Sequence, residues 1–164
     1  MMFDPVRICT VLNEEQVDYV VVGGFAAVVR GSSLPTRDID LVPSRSPDNL
    51  DRLGRALRRM GAKIRTDGDP VAAPLDGSFL ANMPFMLNLV TEFGEMGLTF
   101  VPAGRAGGHE GWRVGATQEE VSDGLFVAVA ALDDVIDSKR AANRPKDQMA
   151  LPYLESLRDE LDRG

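Results

Sequence analysis

Cysteine and histidine occur once each in this chain, as Cys9 and His109. A single cysteine excludes an internal disulfide framework and suits a reducing compartment, so a cytoplasmic location is expected. One cysteine with one histidine leaves too few ligands for a structural zinc site. The apolar runs are too short to span a bilayer, which removes a membrane partner from the expectations. No basic, apolar, small-residue opening reads as a signal peptide. No repeat or low-complexity segment stands out. Nor is there a surplus of positive charge. The net charge of −7 argues against a protein that coats nucleic acid, because neutralising phosphates takes clustered Lys and Arg.

What is present fits an ordinary globular chain, with 44% hydrophobic and 26% charged residues over 164 positions. That length allows one domain, residues 1–164, with a substantial core. The charge is uneven. Arginines crowd the stretch from Arg45 to Arg65, while "NEEQ", "TQEE" and "LRDELD" are acidic. The arginine-rich stretch is read either as a local basic face or as the solvated side of a helix.

The local patterns give a chain of alternating elements. Asp4 followed by Pro5 predicts a helix start, with Cys9 as a small core residue and the helix fading near Glu15. "DYVVVGG" reads as a buried strand stopped by glycine. "FAAVVRG" reads as a short helix ending at Gly31. "RDIDLVP" alternates with period two, and Ser46-Pro47 opens a helix running to Gly61 with Leu50, Leu53, Leu57 and Met60 as its apolar stripe. A strand at "AKIRT", a loop through "DGDPVAAPLDG", and a hairpin over "PFMLNLVTEFGEMGLTFVPAG" turning around Gly94 and Glu95 follow. "GRAGGHEG" is expected to be flexible, with His109 an exposed loop residue; Trp112 is read as a packing anchor. Asp123-Gly124 marks a tight turn between two strands. Two helices close the chain, the second from about Pro145, with Pro152 expected to kink or divide it. The order implies an α/β (α+β) fold, a mixed sheet flanked by helices.

The stretch "VGGFAAVVRGSSLPTRDIDLV" carries the chemistry. On a strand, residues two apart face the same side with Cα atoms roughly 7 Å apart, so Asp38 and Asp40 can converge on a divalent cation. Mg²⁺ takes oxygen ligands, commonly one or two carboxylates plus substrate phosphate oxygens. Gly23-Gly24, between a strand and a helix, lets phosphates approach backbone N–H groups with no Cβ in the way. A nucleoside triphosphate held at the glycines and bridged through Mg²⁺ or Mn²⁺ to the aspartates would form one coherent site. The glycine pair lacks the spacing of a dinucleotide fingerprint.

The pattern "VVGGFAAVVRG…TRDIDL" resembles the signature of the nucleotidyltransferase superfamily, the DNA polymerase beta-like fold. The C-terminal "DSKRAANRPKDQMALPYL" is similar to the corresponding region of small bacterial proteins grouped with the AbiEii/AbiGii-type toxins, so that the likeness runs from about Tyr19 to Leu154. The resemblance implies that Gly23 and Gly24 hold phosphate and that Asp38 and Asp40 are catalytic metal ligands in two-metal nucleotidyl transfer. It also implies that Lys139, Arg144 and Lys146, with Asp147 in the same motif, contact the triphosphate or nucleic acid; capping of the two helices is the alternative role. RNA as acceptor and a cognate antitoxin as partner are further implications.

Two positions depart from the family pattern. Relatives carry a third carboxylate where this chain has Gly97, and a basic residue where it has Leu34. Glu95 would share the strand face if the strand already begins there, and would otherwise sit in the turn. Asn88 offers a neutral oxygen, and Arg30 and Arg37 are stand-ins for the missing cation. These departures keep two further readings open: a degenerate, nucleotide-binding or partner-binding regulator, and a small-molecule nucleotidyltransferase of the aminoglycoside-modifying kind.

Overall fold

The computed structural model describes residues 2–164. Helix α1 (Pro5–Glu14) begins where Asp4 accepts the Arg7 N–H at 3.1 Å, satisfying one of the free donors of the first turn. Strand β1 (Tyr19–Val22) is buried throughout and leads directly into α2 (Gly23–Val29). Strand β2 (Asp38–Pro43) precedes α3 (Pro47–Arg59), whose N-cap Ser46 accepts the Asn49 N–H at 3.3 Å. Then come β3 (Lys63–Ile64), α4 (Gly77–Ala81), β4 (Met86–Thr91) and β5 (Gly94–Thr99). Helix α5 (Gly108–Gly115), the hairpin β6 (Thr117–Ser122) and β7 (Leu125–Val129), and helices α6 (Leu132–Ala142) and α7 (Pro145–Arg163) complete the chain.

All seven strands form one mixed sheet in the order β3-β4-β5-β2-β1-β7-β6. Pairings β1–β7 and β2–β5 are parallel, and the rest are antiparallel. Strands β1 and β2 sit at the centre, which explains their valine, isoleucine and leucine content. Ile39 and Leu41 are fully buried on one face of β2, so the alternation turns Asp38 and Asp40 to the other. Helix α2 packs on α6, and α6 on α7, over the side where α2 leaves the sheet.

Several local expectations are revised. The hairpin turns at Glu92-Phe93, two residues earlier than expected: the Thr91 hydroxyl donates to the Gly94 carbonyl at 2.8 Å and accepts the Phe93 N–H at 3.0 Å. The stretch expected as a loop ends at the N-cap of α4, a short helix that the local pattern did not announce; Asp76 there accepts the Phe79 N–H. The glycine-rich stretch expected to be flexible folds into α5, which buries Trp112 fully. It also leaves His109 only 6% exposed, against its expected place in an open loop. Burial of the Trp112 ring is the long-range contact that local glycine content could not reveal. Pro152 lies inside α7, which runs undivided.

Candidate functional site

The glycine pair stands at the point where β1 becomes α2. Gly23 has φ +68°, a left-handed conformation that glycine adopts freely. A Cβ there would come within 2.8 Å of Asp40 Oδ2, and one at Gly24 within 3.1 Å of Thr36 Oγ1. The N-cap of α2 is Val22, which offers no side-chain acceptor, so the N–H groups of the first turn have no side-chain cap. Helix α2 has only seven residues, so open space at the turn matters more here than the helix dipole.

Asp40 is held between two glycines. On one side lies Gly23; on the other, Gly97 of β5 is its direct register partner. A Cβ at Gly97 would approach Asp40 Oδ1 to 2.5 Å. The carboxylate thus occupies room that a side chain at either position would take. Burial pushes the Asp40 carboxyl up to about 6, and the neighbouring Asp38 pushes the same way. Lys146, Lys139 and Arg144 pull against them. A negative pair that is uncomfortable in the empty protein is well matched to a bound cation.

Those three cations come from the junction of α6 and α7, organised by Asp147. The Asp147 side chain is fully buried. It accepts from Arg144 Nε at 2.7 Å and from the Arg144 backbone N–H at 3.1 Å, and Lys139 Nζ lies 3.6 Å away. Burial opposes its charge, yet the Arg144 hydrogen bonds hold the carboxyl below its usual range. Asp147 is therefore the structural cap of α7, a capping box in which Arg144 is the N-cap residue. For the cations, capping and site lining coexist: Lys139, Arg144 and Lys146 line the same cavity as Asp38 and Asp40.

Two cavities meet at the aspartates. The first, about 310 Å³, is lined by Gly23, Gly24, Thr36, Arg37, Lys139 and Leu34 among others. The second, about 380 Å³, is lined by Arg65, Phe85, Met86, Asn88, Thr99 and Val101 among others. Asp38, Asp40, Gly23, Ser138, Arg144 and Lys146 border both. The sequence pattern gave no sign of the second cavity, because its walls come from strand ends and a loop that meet only in the fold.

The other sequence-derived candidates fall in different places. Glu95 belongs to β5 and is the register partner of Asp38, so it shares the aspartate face. Its carboxylate lies 3.4 Å from Arg65 Nη1, and it lines neither cavity. Arg30 turns the other way: it donates to the carbonyls of Ala130 at 3.1 Å and Val129 at 2.7 Å, clamping the β6–β7 hairpin. Arg37 does line the first cavity, next to Leu34. The α3 arginines join helices instead of forming a free basic face. Arg59 pairs with Glu14 and Glu15 at 2.8 and 3.2 Å, Arg55 with Glu15 at 3.3 Å, and Arg52 and Arg58 donate to backbone carbonyls.

No protein-family model matches the chain, and neither does any curated protein. Among solved structures it is similar to the lincosamide antibiotic adenylyltransferase LnuA in its lincomycin-bound form. The TM-score is 0.61 and the identity 15%, over 93% of this chain and 95% of that one. It is also similar to ANT(2")-Ia in complex with adenylyl-2"-tobramycin, with a TM-score of 0.55 and 13% identity over 97% of this chain and 95% of that one. The fold is that of the nucleotidyltransferases. The carboxylates of Asp38 and Asp40 gather at the junction of the two cavities. Two carboxylates side by side, beside cations suited to phosphate, fit a divalent ion that completes its shell with phosphate oxygens. Among the described residues no group of three His, Cys, Asp or Glu side chains stands close enough to hold a metal without such help.

Proposed function

We propose that the protein binds a nucleoside triphosphate with Mg²⁺ or Mn²⁺ and transfers its nucleotidyl group to a hydroxyl of a small molecule. One observation carries this reading: Asp38 and Asp40 lie where a cavity lined by glycines and cations opens into a second cavity. In this reading Gly23 and Gly24 leave room for the phosphates, while Lys139, Arg144 and Lys146 balance the triphosphate charge and steady the departing pyrophosphate. A divalent ion held by Asp38 and Asp40 would supply Lewis acidity to the phosphate oxygens and ease loss of the acceptor hydroxyl's proton. The chain itself contributes alignment. The nucleotide lies in the first cavity and the acceptor in the second, so the attacking and leaving oxygens sit on opposite sides of the aspartates.

The second cavity narrows the acceptor class. Among the described residues its acidic groups are Asp38 and Asp40 alone, and it presents three cations, Arg65, Arg144 and Lys146. A polycationic sugar would meet repulsion there. The exposed Phe85, Met86 and Val101 give it an apolar wall, which suits a weakly charged hydroxyl compound with an apolar face. An RNA acceptor, with the AbiEii-type toxin role and cognate antitoxin that go with it, needs a basic track. The α3 arginines are committed to α1 or to backbone carbonyls, and the net charge is −7. A second reading, the regulator that binds nucleotide without transferring it, is favoured by Gly97 in place of a third carboxylate.

The test supplies α-labelled nucleoside triphosphates and Mg²⁺ with separate acceptors: the dialysable fraction of a cell extract, tobramycin, and total RNA. Label is expected in the small-molecule fraction and not in Asp38→Asn protein. Label in RNA would replace the acceptor class. Nucleotide binding without transfer to any acceptor would select the regulator.

A further inference from the structure

Strand β4 brings Asn88 opposite Gly97, and Gly97 is in turn the register partner of Asp40 on β2. The three residues form one rung across the sheet, with their side-chain positions on the same face. The space above Gly97 is reached from both sides. A Cβ built there would lie 2.5 Å from Asp40 Oδ1 and 3.4 Å from Asn88 Oδ1. The two oxygens therefore converge on one point beside the aspartate pair. Asn88 is exposed and borders the second cavity together with Asp38 and Asp40. Its backbone carbonyl accepts the Arg65 N–H at 2.9 Å, but among the described residues its side-chain amide has no hydrogen-bond partner.

We propose that Asn88 Oδ1 is a third protein oxygen donor to the cation held by Asp38 and Asp40. The inference rests on the metal–nucleotide reading of the site. The absence of a side chain at Gly97 is what lets Asn88 reach across from the next strand. An amide oxygen is a competent ligand for hard cations, weaker than a carboxylate because it brings no charge. The site thereby gains a donor without adding a third negative charge to an aspartate pair already destabilised by burial.

The proposal is tested by titrating Mn²⁺ into the protein with a non-hydrolysable ATP analogue and following free Mn²⁺ by electron paramagnetic resonance. Asn88→Asp is expected to tighten Mn²⁺ binding about tenfold, since ligand charge sets affinity in such sites. Asn88→Ala is expected to weaken it about threefold. Without metal, Asn88→Asp should bind the analogue more weakly than wild type, because the new carboxylate repels the triphosphate. A merely structural role would not produce these opposite signs. Position 88 is solvent-exposed, so both variants are expected to fold; circular dichroism verifies this, and Asn88→Gln, which keeps the oxygen, should bind Mn²⁺ more tightly than Asn88→Ala. Mn²⁺ affinities unchanged in both Asn88→Asp and Asn88→Ala, with wild type binding Mn²⁺–nucleotide, would overturn the inference. Failure of wild type to bind Mn²⁺–nucleotide at all would overturn the reading beneath it.

Discussion

Replacing Asp40 by asparagine should make the empty protein more stable while removing its cation site. The side chain keeps its shape between Gly23 and Gly97 but loses its charge, so no cavity forms. The gain follows from the weakened acidity of Asp40 in the folded protein. Its carboxyl ionises at 3.8 in the unfolded chain and at about 6 in the folded one. At about 1.4 kcal/mol per pH unit, the gap corresponds to about 3 kcal/mol at neutral pH. That is an upper value, since the cleft is open to water. Below pH 4 the group is protonated in both states and contributes nothing to the difference. Between pH 4 and about 6 the folded state binds the extra proton, so wild-type stability falls as pH rises through that window and levels above it. Urea unfolding of both proteins in EDTA at pH 4, 5, 6 and 7.5 measures this directly. The variant should gain on wild type across the window by 1–3 kcal/mol, taken as an order of magnitude. Mg²⁺–ATP should then raise the melting temperature of wild type only. A difference between the two proteins that does not change with pH would refute the electrostatic account of this site.

Gly97→Ala should displace the Asp40 carboxylate, costing about 1–3 kcal/mol of stability from overpacking and weakening Mn²⁺–nucleotide binding in calorimetry. Asp147→Ala removes the buried cap that holds Arg144 and comes within 3.6 Å of Lys139. It should cost about 1–3 kcal/mol in urea unfolding and weaken nucleotide binding, although the aspartate pair is intact. Arg59→Ala breaks exposed, solvent-screened pairs to Glu14 and Glu15 and should leave urea unfolding and nucleotide affinity close to those of wild type.

Much of the site was written in local patterns. The alternation of "RDIDLVP" depends only on strand geometry, and it put Asp38 and Asp40 on one face opposite Ile39 and Leu41, as found. The glycine pair ending β1 and the helix break before Pro145 were equally local signals. What escaped was set by partners distant in sequence. Capping at this junction was one of the two readings open for the group containing Asp147, but nothing around Asp147 announces that its side chain is fully buried where α6 packs on α7. The α3 arginines look like a basic face until α1 supplies Glu14 and Glu15 across the contact. The hairpin turn was misplaced because Gly94 and Glu95 carry ordinary turn chemistry, whereas the Thr91 hydroxyl fixes the earlier turn. That shift puts Glu95 inside β5, beside Asp38 and turned toward Arg65. The rung formed by Asp40, Gly97 and Asn88 depends on the register of three strands, which no single stretch of sequence specifies.

The central claim is that a metal–nucleotide complex binds where Asp38 and Asp40 face Lys139, Arg144 and Lys146. Isothermal titration of a non-hydrolysable ATP analogue, with Mg²⁺ and again with EDTA, tests it most directly. Wild type should bind the analogue with Mg²⁺ and lose most of that affinity in EDTA, and Asp38→Asn should bind no better with Mg²⁺ than without it. Equal affinity of wild type and Asp38→Asn in Mg²⁺, or no binding by wild type under either condition, would contradict the account.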